Sequence, residues 1–240
     1  MRRIISTAAG FLLAAAAHAP LASAQESGAA PNPVVVELYT SQGCSSCPPA
    51  DELMERLAAR PDIIPLALHV DYWDYIGWAD EFADPAFTDR QKGYARAAGE
   101  RAIYTPQMIV GGIDRVEGVR PMMVADLITS HRARVNPVQV RLAPEGDRVR
   151  IHLSAEPALP SAAQVHLVRY RPQETVKIER GENAGRTVTY HNIVTYWETI
   201  ARWDGQEPFE MIADAQGAEP VVVIVQAPGF GPVLGAARAD

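Results

Sequence analysis

The amino-acid sequence predicts an α/β domain followed by an antiparallel, β-rich domain of sandwich-like architecture. Two observations carry this prediction. Between residues 34 and 132, strand-like and helical patterns alternate in the order β-α-β-α-β-β-α. After Asn136-Pro137, short runs of alternating apolar and polar residues replace this order, as is typical of an antiparallel sandwich. We therefore predict domains over residues 34–134 and 137–240.

The N-terminal residues have the pattern of a secretory signal peptide. Met1-Arg2-Arg3 precedes an apolar run from Ile4 to Ala17, and Ala22-Ser23-Ala24 supplies a small-residue cleavage site. We predict a signal peptide over residues 1–24, a flexible leader over 25–33 and a periplasmic or secreted protein; an uncleaved anchor is the alternative. No later segment has the ~18 uninterrupted apolar residues that a spanning helix needs. We expect no membrane association after cleavage.

Charge and cysteine content narrow the class of protein. The chain has 29 acidic and 22 basic residues and a formal net charge of −7, which argues against nucleic acid or an anionic membrane as a partner. Its two cysteines, Cys44 and Cys47, lie in one short stretch, so the chain is not a scaffold stapled by several disulfides. The pair must act locally, as a dithiol, a short disulfide or half of a metal site.

The first strand and helix place both cysteines at a helix N-terminus. Residues 34–40 form a β-branched and aromatic run, and Ser41-Gln42-Gly43 suits a tight turn. From Pro48 to Arg60, apolar residues recur at helical spacing, with acidic residues near the start and a basic residue at the end. Prolines are tolerated in the first turn of a helix, so the helix begins directly after Cys47.

The other elements of the α/β domain follow from the same periodicities. The most apolar of them, from Ile63 to Val70, is typical of a strand that is buried on both faces of a sheet. Downstream, we predict a helix over 85–99, a strand over 107–110, a strand over 114–118 and a helix over 122–132.

The β-rich domain is predicted from short alternating segments. They recur at the spacing expected of an antiparallel sandwich. The predicted strands cover residues 138–142, 148–153, 164–170, 187–190 and 221–225.

Thiol chemistry is the most specific activity that this pattern indicates. A thiol reacts as its thiolate, and a helix N-terminus lowers the pKa of a nearby thiol below its free value of ~8.5. Cys44 lies at the outer end of the turn, so we assign it the attacking role and Cys47 the resolving role. Two intervening residues allow the sulfurs to close into a small ring. An inert structural disulfide is the alternative.

Two later segments are candidates for lining the cleft beside the cysteines. Thr105-Pro106 immediately precedes a strand, and we favour a cis peptide bond there, with the backbone of Thr105 facing an extended substrate. Asp71 and Trp73 follow the second strand, at the edge where open α/β sheets place their ligand crevices. They are candidate lining residues, and packing in the core is their alternative role.

Residues 34–133 resemble a thioredoxin-fold domain. More closely, the chain resembles a family of secreted bacterial proteins known as domain of unknown function 1223. The resemblance rests on four motifs, which run from Glu37 to Asp51, from His69 to Asp74, from Tyr104 to Met108 and from Arg180 to His191. It implies a thioredoxin-like domain with a β-rich extension and a site at the cysteines. Gly43 stands where thioredoxins usually have tryptophan, and Ser45-Ser46 stand in place of Gly-Pro.

The resulting functional prediction is an exported thiol–disulfide oxidoreductase that acts through Cys44-Ser-Ser-Cys47. We expect no bound cofactor. Its partners would be a protein thiol or disulfide substrate and a redox partner that recycles the pair. The sequence leaves the direction of electron flow open.

Two other functions remain open at this stage. Thiolates and an imidazole suit copper(I), so Cys44, Cys47 and His69 could form a metal-binding or copper-delivery site. The chain could also be a binding protein that keeps an idle disulfide. In addition, the charged segment from Arg180 to Arg186 is either a hairpin loop with a paired Glu182 or a site for a carboxylate or phosphate.

Overall fold

The computed structural model describes residues 33–239 as a mixed α/β protein. The predicted signal peptide lies outside the described residues, as does the predicted leader except for Pro33. The elements are β1 (Val34–Thr40), α1 (Pro48–Ala58), β2 (Ile63–His69), a 3₁₀ turn (Asp74–Ile76), α2 (Pro85–Ala97), β3 (Gln107–Val110), β4 (Asp114–Glu117), α3 (Pro121–Arg132), β5 (Val138–Glu145), β6 (Arg148–Ala155), β7 (Ala163–Lys177), β8 (Thr187–Trp203), β9 (Phe209–Asp214), β10 (Val221–Gln226) and β11 (Val233–Ala239).

The strands form one large mixed sheet and one small antiparallel sheet. The large sheet has eight strands in the order β11-β10-β7-β8-β2-β1-β3-β4, and the small one has the order β5-β6-β9. β1 is parallel to β2 and antiparallel to β3. The prediction of an α/β region followed by an antiparallel β-rich region is confirmed at this level. No helix within residues 33–239 is long and apolar enough to cross a membrane.

Both faces of β1 are buried, and alternate residues face different cores. Val34, Val36 and Leu38 pack with apolar residues of α1 and α3. Val35 and Tyr39 pack on the other face, with residues of α2, β7 and β10. This arrangement explains why the first two strands are almost wholly apolar, since a strand covered on both faces has no solvated side.

The small sheet packs on the antiparallel end of the large one. Their shared core contains Val149, Ile151 and Leu153 of β6 together with apolar residues of β7 and β10. At one side the two sheets approach closely, because Gly235 of β11 lies against β5. A Cβ at that position would be 2.4 Å from the carbonyl oxygen of Val138.

The C-terminal strands are longer and more numerous than predicted. β7 and β8 have 15 and 17 residues, and β9 and β11 were not predicted. Pro172 and the polar residues around it obscure the pattern of β7, and β11 is rich in alanine and glycine, which have low strand propensity. β8 also pairs with β2 at Ile193, so the large sheet crosses the predicted boundary near residues 134–137. The division into two domains stays a prediction.

A buried ion pair joins the N-terminal and C-terminal parts of the sheet. The carboxylate of Glu37 on β1 accepts hydrogen bonds from Arg90 Nε (2.7 Å) and Nη2 (2.9 Å), Tyr39 (2.9 Å) and Tyr94 (2.6 Å). Arg90 also donates to Gln226 of β10 at 3.1 Å. We refer to these five residues as the Glu37 cluster.

The long β7–β8 hairpin ends in a loop that reaches the cysteines. Residues 178–186, here called the tip loop, connect the two strands, and the amide of Ile178 donates to the carbonyl of Arg186 at 2.9 Å. The hairpin interpretation of this segment is therefore confirmed. Glu182, which was expected to be paired, is exposed.

Candidate functional site

The turn after β1 delivers both cysteines to the start of α1. The amide of Cys44 donates to the carbonyl of Ser41 at 3.1 Å, and the carbonyl of Cys47 accepts from the amides of Ala50 (2.8 Å) and Asp51 (3.1 Å). A disulfide bond joins Cys44 and Cys47. The sulfurs therefore lie at the positive end of the helix, as the sequence predicts.

The disulfide is covered, although Ser45 and Ser46 between the cysteines are exposed. Cys44 is 1% exposed and Cys47 is 0% exposed. One cover is Trp73, which follows β2. A Cβ on Gly43 would lie 3.2 Å from the Cβ of Trp73, so a side chain at position 43 would crowd Trp73. The sequence places Cys44 at the outer end of the turn but does not reveal this cover.

The second cover is Asn183 of the tip loop. Its Nδ2 donates to the carbonyl oxygens of Gln42 (2.9 Å) and Cys44 (2.8 Å), and the residue is 2% exposed. Gly181 has φ +77°, and a Cβ there would be 3.3 Å from Trp78. The loop can lie this close to the protein because residue 181 has no side chain. The functional residue that sequence reasoning missed here is Asn183.

The loop before β3 completes the surroundings of the cysteines. The Thr105–Pro106 peptide bond is cis, as favoured from the sequence. Trp73 Nε1 donates to Thr105 Oγ1 at 2.7 Å. Ser46 Oγ lies 3.4 Å from both Cys44 Sγ and the carbonyl oxygen of Thr105. The structure therefore brings Thr105, Pro106 and Trp73 together beside Cys44.

Asp71 is oriented differently from Trp73. Its carboxylate accepts a hydrogen bond from Thr88 of α2 at 2.6 Å, so it holds α2 against the end of β2. Asp71 thus contacts α2, whereas Trp73 contacts Thr105 and lies close to Gly43; a lining role for Asp71 stays a prediction.

Next to the cysteine turn lies a buried group that we call the acid–base cluster: Thr40, Asp51, His69 and Asp80. Thr40 donates to Asp51 at 2.8 Å, and His69 Nδ1 lies 2.7 Å from Asp80 Oδ2. Asp80 also accepts from the amide of Gln42 at 2.8 Å, which ties the cluster to the cysteine turn. All four residues are at most 5% exposed.

The charges in this cluster shift each other's proton affinity. Burial raises the pKa of Asp51 to about 7, against the opposing effects of His69 and Thr40. Burial opposes protonation of His69, but the neighbouring carboxylate of Asp80 raises its pKa above the ordinary value. In the described part of the chain, His69 Nε2 is buried without a hydrogen-bond partner. The site therefore contains a carboxyl group that titrates near neutrality.

Sequence signals for this cluster are weak. Asp51 is four residues after Cys47, which places it one helical turn along the same face, but an acidic residue near a helix start is common and does not by itself indicate a buried carboxyl group. Nothing in the sequence pairs Asp80 with His69.

Among residues 33–239, no group of three or more His, Cys, Asp and Glu side chains is positioned to hold a metal ion.

Comparison with known proteins decides the family. The family model "Protein of unknown function (DUF1223)" matches residues 35–226. The chain belongs to the DUF1223 family. The match extends from β1 to β10, so it includes the cysteines, the acid–base cluster and the tip loop. The resemblance inferred from the four motifs is thereby confirmed. No curated protein matches the chain.

Two solved structures are similar to this DUF1223 protein. One is the crystal structure of a protein from Agrobacterium tumefaciens, with 32% sequence identity and a TM-score of 0.74, covering 85% of this chain and 92% of that one. The other is HBP35 of Porphyromonas gingivalis, with 13% identity and a TM-score of 0.67, covering 87% of this chain and 75% of that one. The second similarity concerns the fold alone.

Proposed function

We propose that this DUF1223 protein is an exported thiol–disulfide oxidoreductase with a thioredoxin-like N-terminal region. The observation that carries the proposal is the position of the Cys44–Cys47 disulfide. It lies at the N-terminus of α1, beside a cis-proline and near a buried carboxyl group whose pKa is about 7. The order β1-α1-β2-α2-β3-β4-α3 supports the thioredoxin-like arrangement.

The proposed reaction exchanges one disulfide for another. A substrate thiolate attacks Cys44 Sγ, the Cys44–Cys47 bond breaks, and Cys47 leaves as a thiolate that takes up a proton. A second substrate thiolate then attacks the substrate sulfur of the mixed disulfide, and Cys44 leaves. The substrate loses two electrons and two protons. The cysteine pair gains the two electrons, Cys47 takes up one proton, and the other passes to the Cys44 thiolate or to solvent. A recycling redox partner returns the pair to its starting state, and the reverse sequence reduces a substrate disulfide.

Asp51 is the residue best placed to exchange a proton with Cys47. Side chains on a helix lean toward its N-terminus, so the Asp51 carboxyl lies over the turn that contains Cys47. A group whose pKa is near the working pH exchanges protons most effectively. Burial raises the pKa of Asp51, and two neighbours act on it in opposite directions: His69 favours the ionised form, and Asp80 disfavours it.

A substrate would bind beside the cis-proline. An open groove of about 320 Å³ begins at Tyr104, two residues before Pro106, and Val116 and Met123 complete its apolar lining. Its charged lining residues are paired, Arg120 with Glu117 and Arg115 with Glu100. Tyr104 and Met123 are exposed, and methionine adapts to the shape of an apolar segment.

The cover over the disulfide adds a requirement to the mechanism. Because Cys44 is 1% exposed, a substrate sulfur can reach it only after Trp73 or the tip loop moves. The hydrogen bonds of Asn183 to Gln42 and Cys44 are the contacts that must break for the tip loop to open.

The same burial favours a second candidate function, a binding protein with a structural disulfide. A disulfide that remains covered would stabilise the turn before α1 and take no part in exchange. Reactivity of the individual thiols separates the two candidates.

The test uses single-cysteine variants at neutral pH. Cys47→Ser leaves Cys44 as a lone thiol, and Cys44→Ser leaves Cys47 as its matched control. We expect Cys47→Ser to form a mixed disulfide with oxidised glutathione at least about tenfold faster than the control, as detected by mass spectrometry. If both thiols react only after denaturation, the disulfide is structural and the oxidoreductase proposal is wrong.

A further inference from the structure

The two sheets of the C-terminal half meet on one side and stay apart on the other. β11, at the edge of the large sheet, lies against β5 of the small sheet. On the opposite side, β8 and β9 face each other without pairing: the strand partners of β8 are β7 and β2, and the strand partner of β9 is β6. We call the space between β8 and β9 the seam.

β8 has a free edge along much of the seam. It pairs with β7 from Thr187 to Trp203, whereas its pairing with β2 is confined to Ile193. In an antiparallel strand, alternate residues direct their amide and carbonyl groups to opposite sides. Within the described residues, the part of β8 after Ile193 therefore has hydrogen-bonding groups on its side away from β7 with no strand to receive them, and this edge borders the seam. Such an edge is a template for another strand.

The seam is an open groove with a volume of about 830 Å³. Both strands supply apolar lining that reaches solvent: Tyr196 of β8 is 44% exposed and Ile212 of β9 is 39% exposed. Ile200 and Met211 extend this lining. The groove therefore offers backbone hydrogen bonds together with apolar positions, which are the two components of recognition by strand addition.

The lining of the groove is predominantly acidic. Glu198, Asp214 and Glu219 supply carboxylates. Its basic residue, Arg169, donates hydrogen bonds to the carbonyl oxygens of Gln216 (2.7 Å) and Glu219 (2.8 Å), so its guanidinium is held against the β9–β10 connection. Carboxylates along a groove favour a cationic occupant.

We propose that the seam binds an extended polypeptide segment in which lysine or arginine alternates with apolar residues, and that this segment adds as a strand to the free edge of β8. The charge of the lining selects this occupant over a second copy of the chain, because the protein itself carries a formal net charge of −7. The proposal is independent of the chemistry at Cys44 and Cys47.

The test measures binding of fluorescent peptides of about eight residues, the length of an ordinary strand, by anisotropy. The probe alternates lysine and valine. One comparison peptide alternates glutamate and valine, and the other is the lysine–valine peptide N-methylated at every second amide, which removes the hydrogen bonds along one edge. We expect both comparison peptides to bind at least about tenfold more weakly than the probe.

A charge-reversed variant locates the binding site. Glu198→Lys combined with Asp214→Lys changes two exposed residues of the groove and should weaken probe binding by about tenfold or more. Glu55→Lys combined with Asp126→Lys makes the same change of charge on exposed positions of α1 and α3 and should leave binding unchanged.

Several results would overturn the proposal. They are no binding of the probe at millimolar concentration, equal binding of the N-methylated peptide, and equal losses in the two charge variants. A dimer in sedimentation that dissociates in the Glu198→Lys, Asp214→Lys variant would also overturn it, because the occupant would then be a second copy.

Discussion

Two buried charged clusters lie on opposite faces of β1 and have opposite characters. In the Glu37 cluster, one carboxylate accepts four side-chain hydrogen bonds, two of them from a guanidinium, and the pKa of Glu37 is lowered despite burial because Arg90 stabilises the anion. In the acid–base cluster, Asp51 accepts one side-chain hydrogen bond from Thr40, and burial raises its pKa to about 7.

The difference shows how one strand serves two purposes. Full hydrogen bonding fixes the charge of Glu37, so that cluster connects α2 and β10 to the sheet and exchanges no protons near neutrality. Sparse hydrogen bonding leaves the charge of Asp51 dependent on pH. The variable cluster is the one that adjoins the cysteine turn through Asp80 and Gln42, where the proposed reaction needs a group that exchanges a proton with Cys47.

The largest effect is expected from breaking the Glu37 cluster. Arg90→Met removes the guanidinium but leaves the Glu37 carboxylate buried, which should lower the free energy of unfolding by about 3–5 kcal/mol. Denaturant titration measures this loss, and Arg96→Met, an exposed position on the same helix, is the control. A loss no larger than that of the control would show that the pair does not stabilise the fold.

Removing the charge of Asp51 should raise the free energy of unfolding, whereas Arg90→Met lowers it. The folded state holds this proton up to a pH of about 7 and the unfolded state releases it near 3.8, so ionisation of Asp51 lowers stability as the pH rises between these values. Asp51→Asn should therefore raise the free energy of unfolding at pH 8 by on the order of 2–4 kcal/mol and change it little at pH 4.

The same variant should slow reaction of the disulfide. Without a proton donor near Cys47, reduction of the disulfide by dithiothreitol at pH 7 should slow by about 10- to 100-fold. Glu52→Gln, at the exposed neighbouring position, is the control for both measurements. Equal pH dependence of stability in wild type and Asp51→Asn would contradict the elevated pKa.

The sequence predicts the local parts of this account well. The strand, the Cys-x-x-Cys turn and α1 follow from short-range patterns, and Pro48 at the helix start confirms the predicted boundary. The cis bond before Pro106 also agrees with its position in front of a strand.

Long-range contacts escape such reasoning. Glu37 and Arg90 are 53 residues apart, and Asn183 is 139 residues from Cys44. Neither distance leaves a periodic signal in the chain, because the partners meet only after the sheet has formed. The burial of the disulfide therefore cannot be predicted from the sequence, which indicates only that residues 180–186 can form a hairpin loop.

A smaller effect is expected at the tip loop. Asn183→Ala removes two hydrogen bonds to the cysteine turn, which should cost about 1–2 kcal/mol of stability. Because the loop would open more often, reduction of the disulfide by dithiothreitol should become faster by about tenfold. Glu182→Ala alters the exposed neighbouring residue and should have no effect on the rate. An unchanged rate in Asn183→Ala would mean that the tip loop does not control access.

The smallest effect is expected at Ser46. Its hydroxyl lies 3.4 Å from Cys44 Sγ and would donate a hydrogen bond to the thiolate of the reduced protein. Ser46→Ala should raise the pKa of Cys44 by about one or less, measured from thiolate absorbance against pH. Ser45→Ala should leave it unchanged, and equal titrations in all three proteins would exclude the hydrogen bond.

Equilibration of the folded protein with glutathione tests the central claim most directly. Acid quenching followed by mass spectrometry gives the fraction of Cys44–Cys47 that is oxidised at each ratio of reduced to oxidised glutathione. The account predicts a reversible couple with a potential between about −120 and −270 mV, as in proteins that exchange disulfides. A disulfide that stays oxidised in excess reduced glutathione, with a potential below about −300 mV, would contradict the account and assign the pair a structural role.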